Sequence, residues 1–268
     1  MSEDIDVVEW VGRAVDKAHA GETAATRRQV ITGAAATLAG MGLMGALPSI
    51  SSASVSQDNS TKNILTVAAT AEVLATIVNT VGWRRGLGGD ATTQRNVAAA
   101  AREELVHYDV LYSVGARPAT KDIWVPDAVF ANRTNFLSTL EVGDQIFVNA
   151  YLIGTKHFAA QKNAAYAVIT AEFMGVEAVH RALARQSLRK LGNDRVFMKF
   201  DQKETAPGSP IPGLPGFEDI LVAVKQLEAA GFGFGKAGAS PGRFYMFEDV
   251  KKHTPTDPDL NTYTPDAN

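Results

Sequence analysis

Four stretches of helical periodicity are joined by a short, a long and a short connection, and few folds accept that order. From Lys62 to Arg84 the apolar residues Ile64, Leu65, Ala68, Val73, Leu74, Ile77, Val78 and Val81 recur at the spacing that lines one face of a helix. Gly86, Gly88 and Gly89 end this stretch, and Asp90 or Thr92 can cap the next. That second helix is alanine-rich and runs from Thr92 to Val114, stopping at Gly115. The pattern predicts a third helix from Asn132 to Lys156 and a fourth from Gln161 to Lys190, before Gly192. The first and second helices, and the third and fourth, are a few residues apart, which makes each pair antiparallel neighbours. Gly115 to Ala131, with Pro118 and Pro126, separates the pairs. Extended chain covers about 3.3 Å per residue, so this segment can return along a whole helix. The expected fold class is therefore all-α, a four-helix bundle with one long crossover.

Beyond Gly192 the composition changes. Residues 204–216 hold Pro207, Pro210, Pro212 and Pro215 and read as linker. Phe217 to Ala230 is one more amphipathic helix, and Gly231 to Gly242 is glycine-rich. Gly231-Phe232-Gly233-Phe234-Gly235-Lys236 has the glycines of a phosphate loop but no strand before it and no helix after it, so an irregular loop is expected. The predicted organisation is a leading segment over 1–53, the bundle over 54–191, and a Pro/Gly-rich extension over 192–268. The extension is expected to be mostly irregular around its short helix, with Phe244-Tyr245-Met246-Phe247 docking on the bundle.

The leading segment reads as an address. Arg27-Arg28 precede an uncharged run from Val30 to Leu47, diluted by Gly33, Gly40, Gly42 and Gly45 and followed by Pro48 and small residues. The pattern resembles a twin-arginine export signal, with Ser51 and Ala53 suited to a cleavage site before Ser54. Four glycines make the run a weak membrane span, so no stable insertion is expected once the signal is removed. The expected location is the periplasm, the cell envelope or the medium. Without residues 1–53 the chain keeps 22 basic and 23 acidic residues, a net charge of −1. Such a balance carries no footprint of a nucleic-acid partner and no long-range pull on an anionic membrane.

The chain has no cysteine, which excludes disulfides, thiolate zinc sites, iron–sulfur clusters and a cysteine nucleophile. Any metal must be held by His, Asp or Glu, and there are five histidines. Two of them close the same pattern on alternate helices: Glu104-Leu105-Val106-His107 and Glu177-Ala178-Val179-His180. Residues three apart share a helix face, so each pair presents a carboxylate and an imidazole together. In an all-helical background this is the Glu-x-x-His motif of dinuclear carboxylate bundles, which also needs one Glu from each remaining helix. The first helix supplies Glu72, the only charged residue between Lys62 and Arg84, and the third supplies Glu141. All four glutamates lie near mid-helix and can meet at one height. Buried together they would be costly unless divalent cations balanced them.

Neighbouring polar residues have other readings. Glu103 points about 100° away from the motif and is expected to be solvated or between helices. Asp144 shares the face of Glu141. It can accept from a ligating histidine, serve as the third-helix ligand if Glu141 turns outward, or be structural. Glu172 is off the face of Glu177. Tyr108, Tyr112 and Tyr151 read as core or interface aromatics. His157 sits at a helix C-terminus, where a cation is favoured, and His19 and His253 lie outside the bundle.

Residues 62–191 resemble the ferritin-like domain, in particular the exported, desiccation-related ferritin-like proteins. The segments that carry the resemblance are Ala71-Glu72-Val73-Leu74, Arg102-Glu103-Glu104-Leu105-Val106-His107, Leu140-Glu141-Val142-Gly143 and Val176-Glu177-Ala178-Val179-His180-Arg181. The resemblance implies two iron or manganese ions, bridged by Glu104 and Glu177, bound terminally by Glu72 and Glu141, with one histidine on each ion. It further implies redox chemistry with O2 or peroxide. The alternative is a structural, stress-protective envelope protein whose metal serves stability only. A long extension hinders packing into a closed shell, so a monomer or small homo-oligomer is expected.

Overall fold

A computed structural model of the chain describes residues 59–192 and 216–256. The leading segment, with Arg27-Arg28 and the cleavage position before Ser54, lies outside the described residues, as does most of the Pro-rich linker. Four long helices form the bundle: α1 (Thr61–Arg84), α2 (Ala91–Ser113), α3 (Arg133–Ala160) and α4 (Ala164–Ser187). Each begins at a side-chain cap that accepts an orphan backbone N–H, from Ser60, Asp90, Asn132 and Asn163 respectively. The turn between α3 and α4 falls a few residues later than periodicity predicts. Lys162 adopts a left-handed conformation (φ 58°) and Asn163 caps the next helix, so α3 continues to Ala160.

α1 packs on α2, and α3 on α4, as antiparallel pairs, and the crossover between the pairs runs along the bundle. By length and composition α1 could cross a membrane, but most of it is buried among the other elements. It is the core helix, with Val73, Ile77, Leu74 and Val78 all nearly inaccessible. Gly82 lets α1 and α3 approach: a Cβ there would sit 2.1 Å from the Phe136 ring, closer than any side chain tolerates.

The crossover is not featureless. It forms strand β1 (Asp122–Pro126) and a 3-10 turn (Asp127–Phe130). The extension departs from its expected irregularity. It forms α5 (Ile220–Ala229), strands β2 (Gly233–Phe234) and β3 (Gly242–Met246), a short α6 (Phe247–Val250) and a closing 3-10 turn. β2 and β3 flank β1 in an antiparallel sheet of order β2-β1-β3, with Ile123 opposite Phe234 and Tyr245. Ile123 and Val125, alternate residues on one face, are buried against the bundle. The resemblance to a phosphate loop ends here, since Gly233-Phe234 belongs to a strand.

The extension is pinned by buried polar contacts. Asn149 of α3 donates to the Phe217 carbonyl at 2.8 Å and accepts from the Phe217 N–H at 3.0 Å. Thr80 and Thr254 hydroxyls meet at 2.9 Å. Phe247 is fully buried and packs on Tyr108 with ring centroids 4.6 Å apart, whereas Phe244 and Met246 stay exposed.

Candidate metal centre

Glu72, Glu104 and Glu177 are each fully buried, at the middle of α1, α2 and α4, and His107 and His180 lie beside them. Such carboxylates are rare in a bundle interior, because burying an unpaired charge costs several kcal/mol. Here they converge. One ligand atom each from Glu72, Glu104, His107 and Glu177 lie within 4.8 Å of one another.

The arrangement has two halves. His107 Nδ1 faces Glu72 Oε2 and Glu104 Oε2, both at 3.6 Å, and Glu177 Oε1 at 3.7 Å. His180 Nδ1 faces the other oxygens of the same two glutamates, Glu104 Oε1 at 3.1 Å and Glu177 Oε2 at 3.7 Å. Glu104 and Glu177 therefore each offer one oxygen to each imidazole.

Outer contacts fix which atoms face the centre. His180 Nε2 meets Glu103 Oε2 at 2.6 Å. A ring N–H donated there leaves Nδ1 as the lone-pair atom turned inward. The Tyr151 hydroxyl donates to Glu72 Oε1, which leaves Oε2 toward His107. Burial first, then the charge of Glu72, holds the Tyr151 phenol well above its ordinary pKa, so it remains a donor. The His107 ring stacks on Phe173 with centroids 3.9 Å apart.

The third helix differs from expectation. Glu141 is buried but stands away from the cluster, with Arg185 Nη1 and Lys190 Nζ each 2.5 Å from one of its oxygens. Asp144, one turn on, is the α3 carboxylate in the field of the cluster. Burial, then the neighbouring charges of Glu177 and Glu104, push its carboxyl well above the usual range against the opposing pull of His180 and Arg181. Hairpin arithmetic carries the signal for this. Asp144 and His180 are each 18 residues from Lys162 at the turn, so they face each other, whereas Glu141 lies opposite Leu183.

The remaining sequence candidates separate cleanly. Glu103, expected to be solvated or between helices, backs His180. Glu172 is exposed, as its off-face position implies. Tyr108 is core and Tyr112 is largely exposed. His157 contacts Thr61 Oγ1 at 3.0 Å, remote from the cluster.

The electrostatics are congested. For Glu72, burial followed by repulsion from Glu104 raises the carboxyl to about 7 despite His107. For His107, burial alone would lower the imidazole, but Glu72 and then the oxygens of Glu104 and Glu177 outweigh it and push it up to about 12. At the centre, eight buried atoms find no well-aligned hydrogen-bond partner: Glu72 Oε2, both oxygens of Glu104 and of Glu177, Nδ1 of His107 and of His180, and Asp144 Oδ2. Buried polar atoms are almost always satisfied, and all eight are of the kind that ligates a divalent cation. Carboxylate oxygen and imidazole nitrogen suit iron and manganese. The cluster can thus chelate metal, and the residues present fit that group.

No protein-family model, curated protein or solved structure matches the chain. The bundle and its buried Glu/Glu/His/Glu cluster are consistent with the ferritin-like superfamily.

Proposed function

We propose that this chain is an exported ferritin-like protein of the desiccation-related kind that holds two iron or manganese ions and performs redox chemistry with O2 or peroxide. One observation carries the reading: Glu104 and Glu177 each turn one oxygen to His107 and the other to His180. That sharing suits two ion positions better than one. His107 and Glu72 would serve the first, and His180 and Asp144 the second. Four carboxylates, from Glu72, Glu104, Asp144 and Glu177, balance the charge of two divalent cations. When bound, such a pair can exchange two electrons with a small oxidant. Burial of the glutamates keeps bulk water out, and Tyr151 holds a proton at Glu72 Oε1.

Glu141→Gln is accordingly expected to leave two-ion binding intact, because it removes only the partner of Arg185 and Lys190. Asp144→Asn is expected to weaken one of the two ions. Metal titration followed by elemental analysis reads both, and the opposite ranking would return Glu141 to the centre.

Metal content and turnover test the whole reading. Purified protein reconstituted without oxygen should hold two metals per chain, then consume O2 or peroxide when Fe(II) is supplied. Two metals with no turnover would favour the stability-only envelope protein, and no metal would end both. For export, changing Arg27 and Arg28 to Lys should retain the precursor in the cell. Light scattering should find a monomer or small oligomer rather than a shell.

A further inference from the structure

The interior of the bundle is chemically lopsided. On one side of the centre Phe147, Phe158 and Phe173 fill the space and are buried. On the other side polar residues from several helices stand among the apolar side chains of Val97, Leu137, Leu140 and Leu183. α1 carries Thr76 and then Asn79 beyond Glu72, both buried, and Thr76 Oγ1 and Asn79 Oδ1 have no hydrogen-bond partner. A cavity of about 30 Å³ lies there, lined from all four helices. Its floor is Asp144 and His180, its wall includes Asn79, and its outer rim includes Thr93, Asn96 and Ser187. Ser187 and Thr93 hydroxyls meet at 3.0 Å across that rim, joining α2 to α4.

Asn79 is 3% exposed and Asp144 5%, and each leaves an oxygen unsatisfied, which is unfavourable in a site with no guest. The cavity is roughly the size that admits one or two small polar guests. A hydrated divalent cation that sheds its waters stepwise needs oxygen replacements along its path, and hydroxyl, amide and carboxylate oxygens suit that role.

We propose that this axial passage, with its polar groups running from the Thr93–Ser187 rim past Asn79 to Asp144, is the route by which divalent cations reach the buried cluster. Asn79 and Asp144 form its inner transit point, and Asp144 hands the ion to the His180 side of the centre. The proposal rests on the metal reading above.

The test is loading kinetics. Metal-free full-length protein is mixed with Co(II) in a stopped-flow instrument, and the ligand-field absorption is followed to saturation. Asn79→Leu keeps the branched shape and the number of side-chain heavy atoms but replaces the oxygen with a methyl group. It is expected to slow loading about tenfold or more, the scale of losing one oxygen partner to a cation, while the final content stays at two ions. Asn79→Asp keeps an oxygen and should load at least as fast as wild type. Glu172→Gln, on the exposed face of α4, should load normally. If Asn79→Leu does not fold, Ser187→Leu at the half-exposed rim carries the same test. Loading of Asn79→Leu at the wild-type rate to two ions overturns the passage and leaves the centre standing. A wild-type protein that takes up no Co(II) overturns the centre and the passage with it.

Discussion

Glu104→Ala and Glu177→Ala are each expected to abolish two-ion binding. Each carboxylate faces both imidazoles, so removing either strips a ligand from both positions at once. Losing an outer hydrogen-bond partner of a metal ligand commonly costs 10–100-fold in affinity, and losing a shared ligand should exceed about 100-fold. Glu103→Ala provides the comparison within the same helix. Its contact with His180 Nε2 at 2.6 Å places it behind the ligand, so a loss of roughly 10–100-fold at one position is expected. Glu172→Ala, on the exposed face of α4, should change nothing. Calorimetric titration with Mn(II) and elemental analysis of each variant read this order. If Glu172→Ala loses metal while Glu177→Ala keeps it, the assigned face of α4 is wrong.

Metal binding should also raise the thermal stability of the bundle by a large margin. The eight unsatisfied atoms at the centre exist as a set only in the folded chain, so an ion that engages them binds the native state and not the unfolded one. At a thousandfold excess over its dissociation constant, one ion contributes about 4 kcal/mol. For a body of this size each kcal/mol moves the midpoint by about 2–4 °C, so roughly 8–16 °C is expected per ion. Calorimetric scans with and without saturating Mn(II) measure it. The shift should vanish in Glu104→Ala and Glu177→Ala, which isolates the effect from non-specific binding to surface carboxylates. An unchanged wild-type midpoint would mean that the buried carboxylates satisfy one another by sharing protons, and the case for resident metal would fall. A full shift with no consumption of O2 or peroxide would separate a stabilising role from a redox one.

The two experiments bear on different parts of the site. The first asks how the oxygens of Glu104 and Glu177 are divided, and the second whether folding and metal binding are linked. Tyr151 connects them. Its hydroxyl on Glu72 Oε1 fills one of the few places where a cluster oxygen meets a protein donor, and Tyr151→Phe would leave that oxygen as another buried, unsatisfied group.

Helical periodicity, capping residues and connection lengths determined the four helices and their single crossover without any tertiary information. These are local properties, decided by spacing within one helix or by the number of residues between two. The same locality made Glu104, His107, Glu177 and His180 legible as two matching pairs, and Glu72 legible as a lone charge on an apolar helix. What remained was the question of which atoms meet. Glu141 and Asp144 share a face of α3, and the packing of α3 against α4, in a register set by the turn at Lys162 that periodicity misplaced, put Arg185 and Lys190 at the first and the cluster at the second. Glu103 is adjacent in sequence to Glu104 yet serves the histidine of another helix. The sheet was hidden for a related reason. β1 is a five-residue segment inside a crossover, and its partners lie more than a hundred residues later. A strand draws its hydrogen bonds from distant chain, so its existence belongs to the tertiary structure, whereas a helix closes its own.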